Sequence, residues 1–463
     1  MRGATAIVLT LGLWAVAPAA AAAQWLDIAT RIVSPAQAKR HELGGRLRRL
    51  DRAWLACDDA GRKRAAIAGV NRAVRRFFAS DPAAIARAMD DTTRLLSGMP
   101  AESGRVWADA IDITATPAIV GVDTPATVTL RVTRAYRPDL AKGAVEPGLI
   151  LRFGATETRL DRFPVTVADH PIFRREGDFD LPVQIVAAGT ESAAKPLRTS
   201  TIRVSAIADA KSRTARLAVA SGSAAATRRW TVGLLAGLAA GQRFETDYPA
   251  AAILAAAGTP ADAATTPTGD LYLAVARGLI DLPVRAYRPP ADSDTLVVAL
   301  HGAGGSENFF FEAYGDGLAA RLCRQRGWAL MAPRVLTPFD DFWGTVDALK
   351  PTVAPGAKRV FVIGHSLGAI SAVAMAGAAP ARLSGVAAIS VGGRPDADAL
   401  SDVPFFVAAG TRDFGRAGAM RLAKALKTAG GEVTYREYAA EHLMVVPESL
   451  PDIFRWMDAQ PAR

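Results

Sequence analysis

The sequence predicts an α/β protein whose C-terminal part is a mostly parallel sheet with helices on both faces, preceded by a β-sandwich and an N-terminal helical segment. Three observations lead to this prediction. Apolar residues recur at helical spacing before residue 100, alternate with polar residues from about 105 to 208, and belong to alternating strands and helices from residue 270 onward. The length of 463 residues fits three domains at roughly 150 residues each.

Residues 1–23 have the pattern of a cleaved signal peptide. Arg2 precedes an apolar run over 6–16, and three alanines ending at Ala23 precede Gln24. A membrane anchor would need about 20 apolar residues. We therefore expect export, with cleavage near Ala23, to the periplasm or the outside of the cell.

Residues 24–104 are predicted to be helical. A capping box opens at Ser34, apolar residues then recur from Leu43 to Trp54 and from Ile67 to Phe77, and a third helix opens at 80–82. The two cysteines of the chain, Cys57 and Cys323, lie far apart in the sequence. They could form a disulfide in an oxidising compartment, but two inert, buried thiols are the favoured interpretation.

The composition and the charge distribution exclude several classes of protein. Half of the residues are hydrophobic and 22% are charged, which excludes a disordered or collagen-like chain. The net charge is +10, and residues 24–100 contain 15 Lys plus Arg against 8 Asp plus Glu, whereas 101–463 contain 39 against 37. The C-terminal part therefore has no electrostatic reason to bind nucleic acid. The basic helices are either a solvated face, which we favour, or a surface for an anionic cell envelope.

Residues 105–208 predict an immunoglobulin-like β-sandwich, because short runs with period two lie between Pro and Gly breaks. Residues 209–269 predict a helical connector over 210–256 and a linker over 258–269. In the C-terminal domain, 270–463, strands are predicted over 295–300, 328–332, 360–363, 386–391, 405–409 and 433–438, with helices over 314–326, 370–378, 416–428 and 451–457.

A serine lies where a strand turns sharply into a helix. The segment Gly364-His365-Ser366-Leu367-Gly368 directly follows the strand over 360–363. Such a turn is strained, and it needs glycines around the serine to avoid clashes while it exposes the hydroxyl. The pentapeptide alone is weak evidence for a nucleophile, but its position between a strand and a helix makes the prediction strong.

A serine nucleophile needs a base and a group that orients the base. His442 follows the last strand, and Asp413 follows the strand over 405–409, so that the chain order is serine, acid, histidine. Asp402 precedes that strand, at the wrong end of the sheet, and Glu441 adjoins His442 too closely to orient its ring. We therefore predict a triad of Ser366, Asp413 and His442.

A glycine-rich loop, His301-Gly302-Ala303-Gly304-Gly305, follows the strand over 295–300. Its backbone NH groups could stabilise an oxyanion, with one donor from Ala303 or Gly304 and the other from Leu367. A phosphate-binding loop is the alternative, but the Lys-Ser/Thr ending of that motif is absent. We expect no cofactor and no metal.

With these motifs, residues 270–463 resemble the α/β-hydrolase superfamily, and the loop after His301 with its aromatic run looks like bacterial secreted esterases, including depolymerase-like and prolyl-oligopeptidase-like members. The resemblance implies Ser366 as nucleophile, His442 as base, Asp413 as acid and the loop after the third strand as oxyanion hole. Between two of the predicted strands, the 393–404 segment is too short for a lipase-type cap.

Aromatic residues near these loops are candidates for a substrate pocket. The pocket prediction comprises His301, Phe310, Tyr314 and Trp343, among the neighbouring aromatic residues Phe309, Phe311, Phe339 and Phe342. A packing role in the core is equally compatible with each residue taken singly.

Three functions are compatible with these residues. The first is an exported serine hydrolase of the carboxylic ester hydrolase class, acting on a small-molecule or polymer-derived ester through an acyl-enzyme. The second is a peptidase of the prolyl-oligopeptidase type, since the same triad cleaves amides. The third is a non-catalytic binding protein on a hydrolase scaffold. The sequence leaves the substrate and the oligomeric state open.

Overall fold

The computed structural model describes residues 35–100, 103–138, 146–189, 195–219, 224–258, 267–278, 280–337, 340–391 and 396–461. The predicted signal peptide, Ser34 of the predicted capping box, Phe339 and most of the predicted linker lie outside these ranges. Export of the protein therefore stays a prediction from the sequence.

Among the described residues, four helices precede the first strand. They are α1 (Pro35–Ala56), α2 (Ala60–Phe78), α3 (Pro82–Leu96) and α4 (Ser103–Asp109). The Asp59 carboxylate accepts hydrogen bonds from the backbone NH groups of Gly61 and Arg62, and the Asp81 carboxylate accepts one from Ala84. These bonds start α2 and α3, because the first NH groups of a helix have no partner within it.

Helices α1 and α2 pack directly onto the C-terminal part of the chain. Leu50 and Trp54 of α1 and Val70 of α2 share one buried core with Phe310. The Trp54 indole Nε1 also donates a hydrogen bond of 2.6 Å to Glu448. Since burying each large apolar side chain contributes roughly 2 kcal/mol, the N-terminal helices are firmly attached to the domain that carries the predicted triad.

The next eight strands form a β-sandwich, as predicted. They are β1 (Ile111–Thr116), β2 (Ile119–Val120), β3 (Val128–Arg134), β4 (Leu149–Phe153), β5 (Thr156–Arg159), β6 (Val165–Asp169), β7 (Gly177–Ala187) and β8 (Arg198–Ala206). Two sheets, ordered β1-β3-β6 and β2-β8-β7-β4-β5, pack through alternating apolar residues such as Leu130 and Leu151. The orders β1-β3-β6 and β8-β7-β4-β5 are those of strands A-B-E and G-F-C-C′ in immunoglobulin domains.

In the described parts of the segment between the sandwich and the last domain there are three connector helices. They are α5 (Ala210–Val219), α6 (Ala225–Ala239) and α7 (Ala250–Ala257). The Asp178 carboxylate of β7 accepts hydrogen bonds from the backbone NH groups of Ala251 and Ala252 at the start of α7. Leu254 of α7 shares a core with Leu238 of α6. The connector is therefore packed against the sandwich.

The C-terminal domain contains an eight-stranded sheet. Its strands are β9 (Gly269–Arg277), β10 (Ile280–Arg288), β11 (Thr295–Leu300), β12 (Ala329–Pro333), β13 (Arg359–His365), β14 (Gly385–Ile389), β15 (Phe405–Gly410) and β16 (Val433–Tyr438). The order is β16-β15-β14-β13-β11-β12-β10-β9, parallel except where β10 pairs with β9 and β12. Leu300 lies opposite Gly364, and His365 lies opposite Ile389, so the loops after β11, β13 and β14 leave the same edge. The predicted mostly parallel sheet is confirmed.

Helices cover both faces of this sheet. They are α8 (Phe309–Glu312), α9 (Tyr314–Arg326), α10 (Phe342–Val353), α11 (Leu367–Ala378), α12 (Arg416–Thr428) and α13 (Val445–Ala459), with 3₁₀ turns at Pro380–Arg382 and Asp398–Leu400. Helices α9 and α12 have the predicted bounds. Helices α8 and α10 and strands β9 and β10 were not predicted, and the predicted helical residues 451–457 lie within α13, which continues through Pro451.

Several cations of the N-terminal helices form ion pairs inside the protein. Arg46 is 1% exposed and contacts Asp90 at 2.9 Å as well as Asp112, and Arg94 contacts Asp109 at 2.9 Å. These pairs reduce the charge that the helices present to solvent, and contact with an anionic envelope stays a prediction. None of the described helices combines the length and apolar character needed to cross a bilayer.

The two cysteines are free and buried. Cys57, which directly follows α1, and Cys323 of α9 belong to the same hydrophobic core. This core joins the N-terminal helices to the C-terminal sheet. Burial raises the pKa of the Cys323 thiol well above its usual range, so this side chain is inert at neutral pH.

Candidate active site

Ser366 lies at a strained turn between β13 and α11. Its φ angle is 55°, in the left-handed region, and its side chain is half-buried. A Cβ atom at Gly364 would lie 2.1 Å from the carbonyl oxygen of Gly368, and one at Gly368 would lie 2.0 Å from that of Leu300. Both glycines are therefore required by the close approach of backbone atoms, as the sequence predicted.

The structure brings the three predicted triad residues together. The Nε2 atom of His442 lies 3.0 Å from Ser366 Oγ, and its Nδ1 atom lies 2.8 Å from Asp413 Oδ1. Asp413 follows β15, and His442 lies between β16 and α13. His442 is 5% exposed and Asp413 is 7% exposed, so water competes little for these hydrogen bonds.

The Asp413 carboxylate is held in its ionised form. Burial alone would raise the pKa of Asp413, but the hydrogen bond and the charge of His442 lower it, as does the hydrogen bond from the Gly415 NH. The net result is a pKa below the usual range. An ionised Asp413 accepts a hydrogen bond from the Nδ1–H of His442, which keeps the proton on Nδ1 and leaves Nε2 free to accept the serine proton.

The loop after β11 passes directly beside Ser366. A Cβ atom at Gly302 would lie 3.2 Å from the Cβ atom of Ser366. Ala303, the next residue, is exposed, and Leu367 occupies the first position of α11, where the backbone NH has no partner within the helix. The predicted oxyanion donors therefore lie on two segments that both adjoin the serine. On its other side, the loop is held by Arg40 of α1, whose Nη2 donates to the carbonyl oxygens of Gly304 and Gly305.

A chain of hydrogen bonds connects this loop to the segment that carries His442. The Gly302 NH donates to the Tyr314 hydroxyl (3.2 Å), which donates to His365 Nδ1 (2.7 Å), and His365 Nε2 donates to the carbonyl oxygen of His442 (2.8 Å). These directions follow because a backbone NH only donates and a carbonyl oxygen only accepts. Burial and the neighbouring His442 lower the pKa of His365 to about 3, so it stays neutral in this chain.

Three of the four residues predicted to form a substrate pocket are buried, which corrects that part of the prediction. His301 is 2% exposed, and both of its ring nitrogens bond to backbone groups, of Gly302 and Val335. Phe310 and Tyr314 are buried in the core beneath the loop. Trp343 donates from Nε1 to the carbonyl oxygen of Met375, near the far end of α11 from Ser366.

Other aromatic residues lie at the site and were missed from the sequence. The Phe414 ring stacks on the His442 ring at a centroid distance of 3.9 Å. Phe77, at the end of α2, lies so close to Gly304 that a Cβ atom there would be 2.3 Å from Phe77 Cζ. Because Phe414 directly follows Asp413 in the sequence, its presence at the site could have been predicted. Nothing local to α2 indicated that its end would reach a loop more than 200 residues away.

Two buried carboxyl groups lie near the triad without joining it. Glu441 accepts hydrogen bonds from the backbone NH groups of Leu443 and Met444, and it does not replace Asp413 at the His442 ring. Burial, reinforced by the charges of Asp413 and Asp51, raises the pKa of Glu441 to about 7. Burial likewise raises the pKa of Asp51 to about 7, and the nearby charge of Asp316 adds to the shift.

We expect Asp51→Asn to stabilise the protein at alkaline pH relative to the wild type. Between about pH 4 and pH 7, the unfolded chain loses the Asp51 proton and the folded chain keeps it, so rising pH lowers the free energy of unfolding by up to about 4 kcal/mol. Asparagine does not ionise, so the variant does not lose this part of the free energy of unfolding as the pH rises. Melting temperatures of both proteins at about pH 5 and about pH 8.5 should show a larger gain for the variant at the higher pH. The exposed Asp58→Asn is the control, and an equal effect at both pH values would contradict the assignment.

Among the residues that the structure describes, no group of three or more His, Cys, Asp or Glu side chains is arranged to hold a metal ion. Ser366 Oγ lies within hydrogen-bond distance of His442 Nε2. The arrangement is therefore suited to nucleophilic attack by a serine with proton transfer through a histidine.

Comparisons with known proteins found similar solved structures but no similar sequence. No protein-family model matches the sequence, and no curated protein matches it. Among solved structures, an S-formylglutathione hydrolase from Staphylococcus aureus is 13% identical, with a TM-score of 0.35 over 42% of this chain and 99% of that chain. A thermostable carboxyl esterase from Bacillus coagulans is also 13% identical (TM-score 0.36; 42% and 99%). An esterase from Pyrococcus furiosus is 17% identical (TM-score 0.34; 42% and 91%). Each of these similarities covers about two fifths of this chain.

Proposed function

We propose that this protein is a serine hydrolase that cleaves carboxylic esters through an acyl-enzyme, with Ser366 as nucleophile, His442 as general base and Asp413 as the acid that orients His442. The observation that carries the proposal is the unbroken line of hydrogen bonds from Asp413 through His442 to a serine on a strained turn. Nucleophile, base and orienting group are the three parts that such chemistry requires.

In the first half of the reaction, Ser366 Oγ attacks the carbonyl carbon of the ester and its proton passes to His442 Nε2. The carbonyl oxygen becomes an oxyanion, which we place between the backbone NH groups of Ala303 and Leu367. Preorganised donors of this kind each contribute on the order of 3 kcal/mol to the transition state. The His442 imidazolium then protonates the leaving alcohol, and Ser366 remains acylated.

In the second half, His442 takes a proton from water, the resulting hydroxide equivalent attacks the acyl carbon, and Ser366 leaves with the proton that His442 returns. The ionised Asp413 stabilises the imidazolium in both halves without accepting its proton. Its lowered pKa is consistent with this role. Esters are cleaved more easily than amides by the same catalytic groups, because an alcohol is expelled more readily than an amine.

A fluorophosphonate probe is expected to label the protein at Ser366, and the unlabelled protein is expected to hydrolyse 4-nitrophenyl acetate. Mass mapping of the labelled peptide identifies the modified residue, and heat-denatured protein is the control. A parallel panel of proline-containing peptides separates an esterase from a peptidase. Absence of labelling in folded protein would favour the non-catalytic alternative, and faster turnover of peptides than of esters would favour the peptidase.

A further inference from the structure

Three phenylalanine side chains lie exposed in one cluster at the candidate active site. Phe77, Phe78 and Phe414 are 43%, 53% and 61% exposed. The Phe77 and Phe78 rings meet edge to face at 5.4 Å, and the Phe78 and Phe414 rings at 6.1 Å. Exposed large apolar side chains that form a contiguous patch usually mark a binding surface. We call this cluster the aromatic wall.

The aromatic wall touches both sides of the triad. At one end, Phe77 contacts Gly304 of the loop that carries Ala303, one of the two predicted oxyanion donors. At the other end, Phe414 covers one face of the His442 ring. The wall therefore extends from the loop to the base, and α2 of the N-terminal region supplies two of its three rings.

The position of Phe414 indicates which half of the ester the wall faces. The leaving oxygen must take its proton from His442 Nε2, so the alcohol part of the substrate lies beside that ring. Phe414 stacks on the same ring and is itself flanked by Phe78. An alcohol group next to His442 would thus meet the exposed faces and edges of aromatic rings, which favour flat aromatic partners.

A basic groove continues from the aromatic wall. It has a volume of about 470 Å³, and Asn71, Arg75, Thr411, Arg412, Asp413, Phe414, Arg416, Ala417 and Met420 line it. Arg416 is paired with Glu437. Within the described part of the chain, no carboxylate forms an ion pair with Arg75 or Arg412, and Asp413 is engaged with His442. The groove therefore presents two cations whose charge is not neutralised.

We propose that the aromatic wall and the basic groove bind the alcohol part of the substrate, and that this part is an aromatic group with an acidic substituent. The ring packs on Phe78 and Phe414, and the acidic group lies toward Arg75 and Arg412. This proposal rests on the proposed ester hydrolase function and extends it to the class of substrate.

Two acetate esters with chemically similar leaving groups test the aromatic wall. Propyl acetate and 3-phenylpropyl acetate both release a primary alkanol, so the difference in kcat/KM between them measures contact with the phenyl ring. In Phe78→Ala and Phe414→Ala, the ratio of kcat/KM for the phenyl ester to that for the propyl ester is expected to fall about tenfold. Ile172→Ala, an exposed apolar residue of the sandwich, is the matched control and should keep the wild-type ratio.

Charged versions of the same ester test the basic groove. The wild type is expected to prefer 3-(4-carboxyphenyl)propyl acetate to its 4-trimethylammonio analogue. In Arg75→Ala and Arg412→Ala, the ratio of kcat/KM for the carboxylate ester to that for the uncharged phenyl ester should fall about threefold each, and added salt should reduce it in the wild type. Arg64→Ala, an exposed cation at the other end of α2, should leave it unchanged.

The outcomes separate the two levels of the proposal. The proposed substrate class would be overturned if the protein hydrolysed propyl acetate but none of the four alanine variants of the wall and the groove changed the kcat/KM ratios. It would also be overturned if the wild type preferred the ammonio ester. Either result would leave the proposed ester hydrolase function intact. Failure of the wild type to hydrolyse any of the esters, together with an unlabelled Ser366, would overturn the proposed function itself. A melting curve for each variant shows whether it is folded. Phe78→Leu keeps a large apolar side chain and removes only the aromatic ring, so it is a second test of the wall if Phe78→Ala does not fold.

Discussion

Ser366→Ala is expected to lower kcat for 4-nitrophenyl acetate by a factor on the order of 10⁴ or more. The methyl group cannot attack the carbonyl carbon, so no acyl-enzyme forms. Only the binding of the ester and stabilisation of an oxyanion by backbone donors would remain, and these give a small residual rate with water as the nucleophile. Initial rates under saturating ester measure the loss.

Ser371→Ala is the matched control for that experiment. Ser371 lies one turn further along α11, and its hydroxyl donates to the carbonyl oxygen of Leu367 rather than to a triad residue. Its removal should change kcat only a few-fold, because a single neutral hydrogen bond contributes about 1 kcal/mol. If Ser366→Ala kept more than about one hundredth of wild-type turnover while folded, a serine mechanism through this residue would be ruled out.

Asp413→Asn is expected to lower kcat by about 10⁴-fold. Asparagine can donate a hydrogen bond to His442 Nδ1, which favours the tautomer with its proton on Nε2. That tautomer cannot accept the proton of Ser366. Because the amide has nearly the size of the carboxyl group, the loss should come without a large change in melting temperature. Kinetics across a range of pH, with circular dichroism of both proteins, measure the two effects.

Glu441→Gln separates the roles of the two neighbouring acids. Glu441 bonds to backbone NH groups of the next turn, and glutamine keeps an oxygen that can accept such a bond. We therefore expect kcat to fall at most several-fold, in contrast to Asp413→Asn. A larger loss in Glu441→Gln than in Asp413→Asn would show that the acid had been assigned to the wrong residue.

The proximity of the three candidate triad residues could be predicted because each of them follows the end of a strand in a mostly parallel sheet. Continuous apolar strands such as 295–300 and 405–410 are visible in the sequence, and parallel strands bring the loops at their carboxyl ends together. Once the strands were placed, Ser366, Asp413 and His442 followed from their positions after β13, β15 and β16.

The substrate surface could not be predicted in the same way. His301, Phe310 and Tyr314 adjoin the right loop, but the direction of each side chain depends on how the loop folds back on the sheet. All three are buried under the loop. Phe77 and Phe78 follow the helical spacing of α2, which predicts core positions, and their approach to Gly304 arises only from packing of that helix on another domain.

Trp54 and Glu448 are hydrogen-bonded although 394 positions separate them. Arg40 and Phe77, from the start of the chain, contact the loop after β11, and His442 comes from its end. During synthesis, the first of these segments leaves the ribosome long before the last. A growing chain therefore has no complete candidate site until the segment that carries His442 has been synthesised and folded, so the proposed hydrolytic activity should require that segment.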